Sequence, residues 1–321
     1  MLVKLIPRLG AAVLLATLGW TTPCALAASG ALSDGPLVGL ARTVPQEPQR
    51  HGVLYQVSRH GQAAYLFGTI HVGSPSFYPL APEVRHALNA STRLVLELDT
   101  GAQHDYAQAV LAHGSYRHGQ QLRDFLTPET LARLTTALHA QGITVASVAH
   151  LKPWLVANML MGLELQRSGY ARAHGNESVL LAHARAHGTV VTELESADYQ
   201  LALFNTLTPA QAEHYLSETL DQLADGSSLR QATATVDAWI SGDAAALDAL
   251  VPAAVKGDSV LSEFTRRVLL GQRNPEMAAS IERILQDGKT AFIGVGLLHL
   301  LGTDGLPRLL SQRGYQVRRM Y

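Results

Sequence analysis

Apolar residues alternate with polar ones, or form short runs, mainly near the two ends of the chain, and this pattern predicts β-strands there. Residues 53–57 and 64–67 alternate on either side of a turn at 60–62, which predicts a hairpin. Further strands are predicted at 93–99, 189–195, 290–295 and 315–320.

The middle of the chain, about 103 to 175 and again 208 to 273, is rich in Ala and Leu and predicts helices. Threonine stands directly before proline at 127–128 and at 208–209, which is typical of a helix start because threonine caps and proline suits the first turn. Asn274 precedes Pro-Glu and is predicted to cap another helix.

Strands near both ends and helices between them predict an α/β fold. We expect one central sheet built from the N- and C-terminal segments, with a large helical middle region. Residues 51–321 are predicted to form a single domain with helical insertions around 103–175 and 208–273. The sequence does not determine the order of the strands.

Residues 1–27 have the pattern of an export signal. Lys4 and Arg8 give a positive start, an apolar run follows, and an Ala-Leu-Ala triplet ending at Ala27 suits signal peptidase. The apolar run is shorter than the about 20 residues that span a bilayer, which disfavours an uncleaved anchor. Residues 28–50 are predicted to be a flexible leader, and the protein to be periplasmic or secreted.

Composition limits the chemistry of the exported chain. Cys24 is the only cysteine, it lies inside the predicted signal, and its neighbours do not form a lipobox. The mature protein is therefore expected to lack a thiolate nucleophile and Cys-ligated zinc. Removing Lys4 and Arg8 takes the formal charge from −1 to −3, so no basic excess suggests nucleic acid. We expect no integral membrane segment after cleavage.

Two Gly-x-x-His motifs are the strongest candidates for chemistry. One runs from Gly68 to His71 and the other from Gly296 to His299, and each follows an apolar strand. Sites in open α/β sheets form at the carboxyl ends of strands, and imidazole is both a metal ligand and a proton carrier. For either histidine alone, a structural role is the favoured interpretation. Their matching positions favour one shared site.

Acidic residues follow two other predicted strands. Glu97 and Glu195 end apolar runs, and a second acid, Asp99 or Glu193, lies two positions away on the same face. A carboxylate at a buried strand end is costly unless it is paired or binds a metal, although a strand that ends at solvent accepts acids freely. Two imidazoles with carboxylates would suit zinc, manganese, iron or cobalt.

Several enzyme classes lack their motifs in this chain. No Gly-x-Ser-x-Gly elbow of a serine hydrolase occurs, and no phosphate loop or dinucleotide-binding glycine pattern follows a strand. His183 and His187 are four residues apart on a predicted helix, but the glutamate of a His-Glu-x-x-His metalloprotease is missing between them. We interpret this pair as a solvated helix face.

The order of these motifs resembles the TraB/GumN family over almost the whole chain from residue 50 onwards. The C-terminal Gly-x-x-His-Leu-x-Gly element is the closest likeness. The segments that carry the resemblance are Phe67–Gly73, Leu96–Leu98, Glu193–Ser196, Trp239 with Gly242 and Asp243, Arg273 with Asn274, and Phe292–Gly302.

The resemblance implies a fold similar to haem-binding ChaN-like and erythromycin-esterase-like proteins. Tiki members of the family are described as metal-dependent proteases that use both Gly-x-x-His motifs. By this likeness His71 and His299 would be metal ligands or acid–base groups, and Glu97 and Glu195 would be further ligands or the general base. Arg273 would face the site and stabilise an oxyanion. The implied cofactor is a divalent transition metal: Mn, Co, Zn or Fe.

One position departs from the family pattern. The chain has Gly175-Asn176-Glu177 where the family more usually has Gly-x-Asp, so this chain is altered there if that aspartate belongs to the site.

Three functions are therefore open. The first is a metal-dependent hydrolase, such as a peptidase, acting on a peptide or small molecule. The second is a non-catalytic exported protein that binds haem or a peptide. The third is a metal-free hydrolase that uses His and Glu. The sequence determines neither the substrate nor the oligomeric state.

Overall fold

The computed structural model describes residues 51–99, 101–117 and 119–321. The predicted signal and leader, residues 1–50, lie outside the described residues. The strands are β1 (Leu54–Arg59), β2 (Gln62–Thr69), β3 (Arg93–Leu96), β4 (Val190–Glu193), β5 (Ala291–Gly296) and β6 (Gln316–Arg319). The α-helices are α1 (Pro82–Asn89), α2 (Gln103–Ala109), α3 (Pro128–Ala140), α4 (Pro153–Arg167), α5 (Asn176–Ala186), α6 (Ala197–Ala202), α7 (Pro209–Ala224), α8 (Ser227–Ser241), α9 (Ala244–Ala254), α10 (Val260–Phe264), α11 (Arg273–Leu285) and α12 (Leu306–Gln312).

The strands form one mixed sheet in the order β4-β3-β5-β2-β1-β6. The pairs β2–β5, β5–β3 and β3–β4 are parallel, whereas β1 pairs antiparallel with both β2 and β6. The α/β prediction is confirmed, because the sheet combines strands from both ends of the chain. β4 comes from the stretch between the two predicted helical insertions.

The predicted hairpin is confirmed as β1 and β2. His60 and Gly61 both have positive φ, 51° and 80°, which is the backbone that a tight two-residue hairpin turn requires. Glycine accepts this conformation without a steric penalty.

Two predicted strands end earlier than expected. β3 ends at Leu96 rather than at residue 99, and β4 ends at Glu193 rather than at residue 195. Glu97 and Glu195 therefore lie just past the ends of their strands, close to the ends of the neighbouring strands. The register pairs Thr69 with Gly296, so β2 and β5 end side by side.

Two predicted helix starts are confirmed, and a third is wrong. The side chains of Thr127 and Thr208 accept hydrogen bonds from the backbone three residues on, as N-caps do. Asn274 is not a cap, because a helical path of wider turns runs from α10 through Thr265–Gln272 directly into α11. Its side chain serves the site described below.

Helices cover both faces of the sheet. Met277 and Ile281 of α11 and Leu306 of α12 pack with Val95 and Ile293 on one face. The larger helical region packs on the other face. Burying these apolar side chains supplies most of the favourable free energy of folding.

Trp239 of α8 ties the helical region to the first Gly-x-x-His motif. Its Nε1 donates a hydrogen bond of 2.8 Å to the carbonyl oxygen of Gly68. The ring is fully buried, so the end of β2 is fixed both by packing and by this bond. Among the helices of the described residues, none is long and apolar enough to cross a bilayer.

Candidate functional site

The parallel part of the sheet brings both Gly-x-x-His motifs to one edge. His71 lies two residues past β2, and His299 lies in a 3₁₀ turn that directly follows β5. Glu97 is the first residue after β3, which pairs with β5 on the side away from β2. Parallel neighbours end at the same edge, so these three side chains meet at the carboxyl ends of the strands.

Gly296 permits this meeting by having no side chain. A methyl group added there would lie 3.1 Å from Glu97 Oε1, 3.5 Å from His299 Cδ2 and 3.7 Å from His71 Nε2. Its φ is −50°, so the backbone conformation itself does not demand glycine. The need is for close approach, because a larger residue would fill the space that the three side chains share.

His299 is held by a neutral amide. Its Nδ1 lies 2.5 Å from Asn274 Oδ1, and Asn274 Nδ2 donates a 2.8 Å hydrogen bond to the carbonyl of Asp304. The amide orientation is fixed by that carbonyl, so Oδ1 must accept and Nδ1 must carry the proton. Nε2 is then an unprotonated acceptor, and it is buried without a hydrogen-bond partner among the described residues.

Burial also keeps the His299 ring uncharged. The side chain is completely buried, and burial lowers its pKa to about 3, even though the Glu97 carboxylate opposes this shift. The positive charges of Arg273 and His71 lower the pKa further. His299 is therefore a neutral imidazole at any physiological pH, with a free lone pair on Nε2.

His71 is held by a carboxylate instead. Its Nδ1 lies 2.9 Å from Glu177 Oε1, and Thr69 Oγ1 donates a 2.5 Å hydrogen bond to the same oxygen. Burial alone would lower the pKa of His71, but the Glu177 and Glu97 carboxylates outweigh it and raise the pKa above its ordinary value. The His71 ring can therefore hold a proton that the His299 ring cannot.

Glu177 is the site residue that sequence reasoning did not include. It stands where the resembled family more usually has aspartate, and the departure noted in Gly175-Asn176-Glu177 was the available signal. The structure brings Glu177 to the site, because its carboxylate is buried against His71. The pKa of Glu177 is lowered, since the charge and hydrogen bond of His71 outweigh burial, which raises it.

A backbone clamp positions Glu177. Asn176 Oδ1 accepts a 2.8 Å hydrogen bond from the amide of Ile70, and Asn176 N donates to the carbonyl of Ile70 at 3.0 Å. Gly73 and Ala171 exchange a pair of backbone hydrogen bonds, both of 2.9 Å. The turn before α5 is thereby fixed against the chain on either side of His71.

Arg273 joins the two predicted glutamates. Its Nη2 donates to Glu97 Oε2 at 2.6 Å and to Glu195 Oε2 at 2.7 Å, and its Nε donates to Glu195 Oε1 at 3.0 Å. Gln200 Nε2 adds a 2.7 Å bond to Glu195 Oε2. The amide of Gly296 donates a 2.5 Å bond to the other oxygen of Glu97, so Glu97 is held from both sides.

The two carboxylates respond differently to their shared arginine. Burial raises the pKa of Glu97, but Arg273 and the two imidazoles overcome this and lower it to about 2. The pKa of Glu195 is raised, chiefly by burial and also by the nearby charge of Glu97. One guanidinium serves two carboxylates, so the cluster keeps one excess negative charge, and Glu195 is the member that accepts a proton more readily.

The donor set fits a metal ion in part. Nε2 of His299 is buried and unpartnered, Nε2 of His71 faces the same space, and each Nδ1 is held by a side chain, as is usual for metal-binding histidines. Glu97 Oε1 is the nearest carboxylate oxygen, 3.7 Å from His299 Nε2. Within residues 51–99, 101–117 and 119–321, no group of three or more His, Cys, Asp or Glu side chains is arranged to hold a metal ion.

The predicted site residues thus form two adjoining groups. His71, His299 and Glu97 share the space beside Gly296, and Arg273 links Glu97 to Glu195 one strand further along. Glu195 lines an open cleft of about 560 Å³ with acidic walls.

Comparison with known proteins agrees with the motif order. Residues 53–319 match the sequence model of the TraB/PrgY/gumN family. The chain is 26% identical over 247 residues to the uncharacterized protein YbaP of Shigella flexneri, covering 77% of this chain and 87% of YbaP. YbaP of Escherichia coli (strain K12) is 26% identical over 246 residues, with the same coverage. No solved structure matches the chain significantly. The chain belongs to the TraB/PrgY/gumN family.

Proposed function

We propose that the protein is a metal-dependent hydrolase whose metal is held by Nε2 of His71 and Nε2 of His299, with Glu97 as the nearest carboxylate. One observation carries this proposal: the Nε2 atom of His299 is buried without a partner, in a space that it shares with His71 and Glu97. An unpaired polar atom in a buried site is costly, and a bound cation would remove that cost.

A divalent transition metal at this place would supply Lewis-acid polarisation of a carbonyl group and would make bound water more acidic. Two side chains hold the imidazoles in the protonation state that binding of such a metal requires. Asn274 fixes the proton of His299 on Nδ1, and Glu177 does the same for His71, so both Nε2 lone pairs face the shared space. Glu97 stays ionised and attracts a cation.

Glu195 and Arg273 have distinct parts in this proposal. Glu195 is the carboxylate that takes the proton of the attacking water, because burial raises its pKa and the residue is part of the wall of the open cleft. Arg273 holds both carboxylates through Nε and Nη2, which leaves Nη1 as the nitrogen that can face a developing oxyanion.

A peptide is the proposed substrate, with a small molecule as the alternative, and the proposed location is the periplasm or the exterior. Peptide cleavage is favoured by the family likeness and by the cleft beside Glu195. The relatives are uncharacterized proteins and add no substrate.

A metal-free hydrolase is the second candidate, and the contact between His71 and Glu177 favours it. Glu177 raises the pKa of His71, so this pair suits proton transfer in catalysis without a metal. The described residues also lack a ready cage of three ligands. A non-catalytic haem- or peptide-binding protein is the remaining alternative.

Metal content is the first measurement. Mature protein purified without chelator is expected to contain about one transition metal per chain, because the two imidazoles form a single site. His71→Ala and His299→Ala are each expected to lose the metal while remaining folded. His183→Ala is the matched control, since His183 lies on α5 away from the shared space and should keep the metal.

The outcome decides between the candidates. No bound metal, and none taken up on titration with zinc, manganese or cobalt, would remove the metallohydrolase and favour the metal-free enzyme. Activity that survives a chelator would do the same. Glu195→Gln should abolish turnover of a fluorogenic peptide library while ligand binding is kept. A protein that only binds would show no turnover with any substrate.

A further inference from the structure

β4 forms one edge of the sheet and leads directly into the candidate site. In the described part of the chain its only sheet neighbour is β3. Val190 at its start is 62% exposed, which is unusual for a large apolar side chain. Glu195 lies two residues past its end. A chain that lay along this edge would therefore point at the site.

The outward-facing backbone groups follow from the hydrogen-bond pattern. Leu194 N donates to the carbonyl of Leu96 at 2.8 Å, so Leu194 faces β3. Strand residues alternate in the direction of their backbone groups. Thr192 therefore also faces β3, whereas the N–H and C=O groups of Val191 and Glu193 face outward. An open edge of this kind is a template for another strand.

Two clefts adjoin β4, and the first of them reaches inward toward β3 and β5. One, of about 220 Å³, is lined by Thr92, Arg93, Val190, Thr192 and Lys289. The other is the acidic cleft that contains Glu195. The two clefts share Thr192, so they adjoin at β4, and we call the line along β4 from Val190 to Glu195 the track.

Two buried polar atoms in the first cleft have unused hydrogen-bonding capacity. Arg93 Nε and Thr192 Oγ1 are buried, and neither has a hydrogen-bond partner among the residues that the structure describes. Buried donors and acceptors are nearly always paired in folded proteins. The wall of this cleft is therefore polar and incompletely paired.

The two ends of the track have opposite charge. At the Val190 end, Arg93 and Lys289 stand against Asp287 alone, which leaves one positive charge. The other end holds Asp99 and Glu193, with Arg185 as the cation paired to Asp99 at 3.4 Å.

Glu195 and Glu97 add a second excess negative charge there, because they share the single cation of Arg273. The electrostatic potential along β4 therefore changes from positive at the Val190 end to negative at the Glu193 end. A chain with basic residues at one end fits it best when that end lies at the Glu193 end.

We propose that an extended peptide binds as an added strand along β4, with its basic end at the Glu193 end and apolar or acidic residues at the Val190 end. This rests on the proposed function in one respect, namely that the peptide is the substrate of the hydrolase. Residues 190–195 span about 20 Å at strand spacing, which corresponds to a bound stretch of about six residues.

A peptide fits this edge better than a second copy of the chain. β4 has four residues, so pairing two copies through it would bury far less than the about 1,600 Å² of a standard stable interface. A second copy would also close the cleft beside Glu195. A single peptide strand requires neither a large interface nor access from both sides.

The probe is a fluorescein-labelled decapeptide, Lys-Lys-Val-Thr-Val-Thr-Val-Thr-Glu-Glu, followed by fluorescence anisotropy with the mature protein. It is expected to bind at least about tenfold more tightly than the same peptide with both Lys residues replaced by Glu, which loses the charge complementarity in either strand direction. A version N-methylated at alternate residues is expected to lose binding, because it cannot form the ladder.

Val191→Pro tests the edge directly. Proline removes an outward N–H but is tolerated on edge strands, so the fold should survive and binding of the decapeptide should weaken about tenfold or more. Val317→Pro is the matched control on the opposite edge strand, β6. Met320 N donates to Leu54 there, so Val317 also faces outward, and both valines are half-buried. It should leave binding unchanged.

Several results would overturn the proposal. These are decapeptide binding that Val191→Pro and Val317→Pro affect equally, binding that tolerates N-methylation, or a lack of binding. A dimer that Val191→Pro dissociates would show that a second copy occupies the edge. Decapeptide binding that persists in a metal-free, inactive His71→Ala protein would confirm the edge. A wild-type protein that binds the decapeptide but never binds metal or hydrolyses peptides would contradict the proposed function alone.

Discussion

The two Gly-x-x-His motifs look alike in sequence but hold their histidines in opposite ways. His299 is fully buried, is fixed by the amide of Asn274, and is neutral because burial lowers its pKa to about 3. The His71 side chain is 14% exposed, and the carboxylate of Glu177 raises its pKa. A repeated motif therefore supplies two imidazoles with different capacities, one for a lone pair and one for a proton.

The difference lies in what stands behind each ring. Asn274 comes from α11 and takes its orientation from a backbone carbonyl. Glu177 comes from α5 and is fixed by backbone contacts between its own turn and the chain around His71. A metal site uses the Nε2 lone pairs of both histidines equally. Acid–base catalysis without a metal instead needs the difference between their pKa values. Variants that act on one side only can distinguish these uses.

The largest effect is expected on the His299 side, from Arg273→Met. Removing the guanidinium leaves Glu97 and Glu195 buried with no cation, so the free energy of unfolding should fall by about 3–5 kcal/mol in urea titrations. Arg185→Met is the control, because that side chain is 57% exposed and its pair with Asp99 should contribute at most about 1 kcal/mol.

The charge explanation for Arg273 has its own check. Combining Arg273→Met with Glu97→Gln and Glu195→Gln removes the unpaired charges and should recover part of the loss. If the free energy of unfolding of Arg273→Met lies within about 1 kcal/mol of the wild-type value, the buried carboxylates do not need this cation for stability.

The smaller backbone effect is expected on the His71 side, from Gly175→Ala. The added methyl would lie 2.3 Å from the carbonyl oxygen of His71, so the turn that carries Glu177 must shift, at a cost of about 1–3 kcal/mol in the same titrations. At Gly296 the nearest atom is a side-chain oxygen, 3.1 Å away, so Gly296→Ala should cost less stability although it fills the shared space.

The control for these glycine variants is Gly162→Ala. Gly162 is inside α4 with open space beside it, and alanine there should stabilise the protein by about 0.5–1 kcal/mol. If Gly175→Ala is as stable as the wild type, the backbone contacts near His71 can shift at little cost in free energy.

The pairing of the two motifs could be predicted because it depends on local pattern. An apolar strand followed by Gly-x-x-His places the histidine at the carboxyl end of that strand, and parallel neighbours end together. The strand-end position of Glu97 follows from the same reasoning. What remained undetermined was the strand order, which makes β2 and β5 neighbours and puts β3 beside them.

The groups behind the histidines could not be predicted, for a physical reason. Glu177 reaches His71 through a clamp between Ile70 and Asn176, which are 106 positions apart in sequence. Asn274 before Pro-Glu has the local chemistry of a helix cap, and only tertiary packing turns its amide to His299. Local pattern reports what a residue can do, and long-range contacts decide which partner it has.

The smallest but most discriminating effect is expected from changing the groups behind the rings, with Asn274→Leu on one side and Glu177→Gln on the other. Leucine removes the acceptor of His299 Nδ1, so the proton is free to move to Nε2 and metal affinity should fall by about 10–100-fold. Glutamine keeps an acceptor oxygen for His71, so affinity should fall by about tenfold at most. Zinc titration measures both changes, and nitrogen chemical shifts of the imidazoles in metal-free protein report which nitrogen carries each proton. A purely structural role for Asn274 would leave those shifts unchanged. Equal losses in both variants would mean that the two motifs act alike, whereas loss of turnover in Glu177→Gln with metal affinity intact would assign proton transfer to His71.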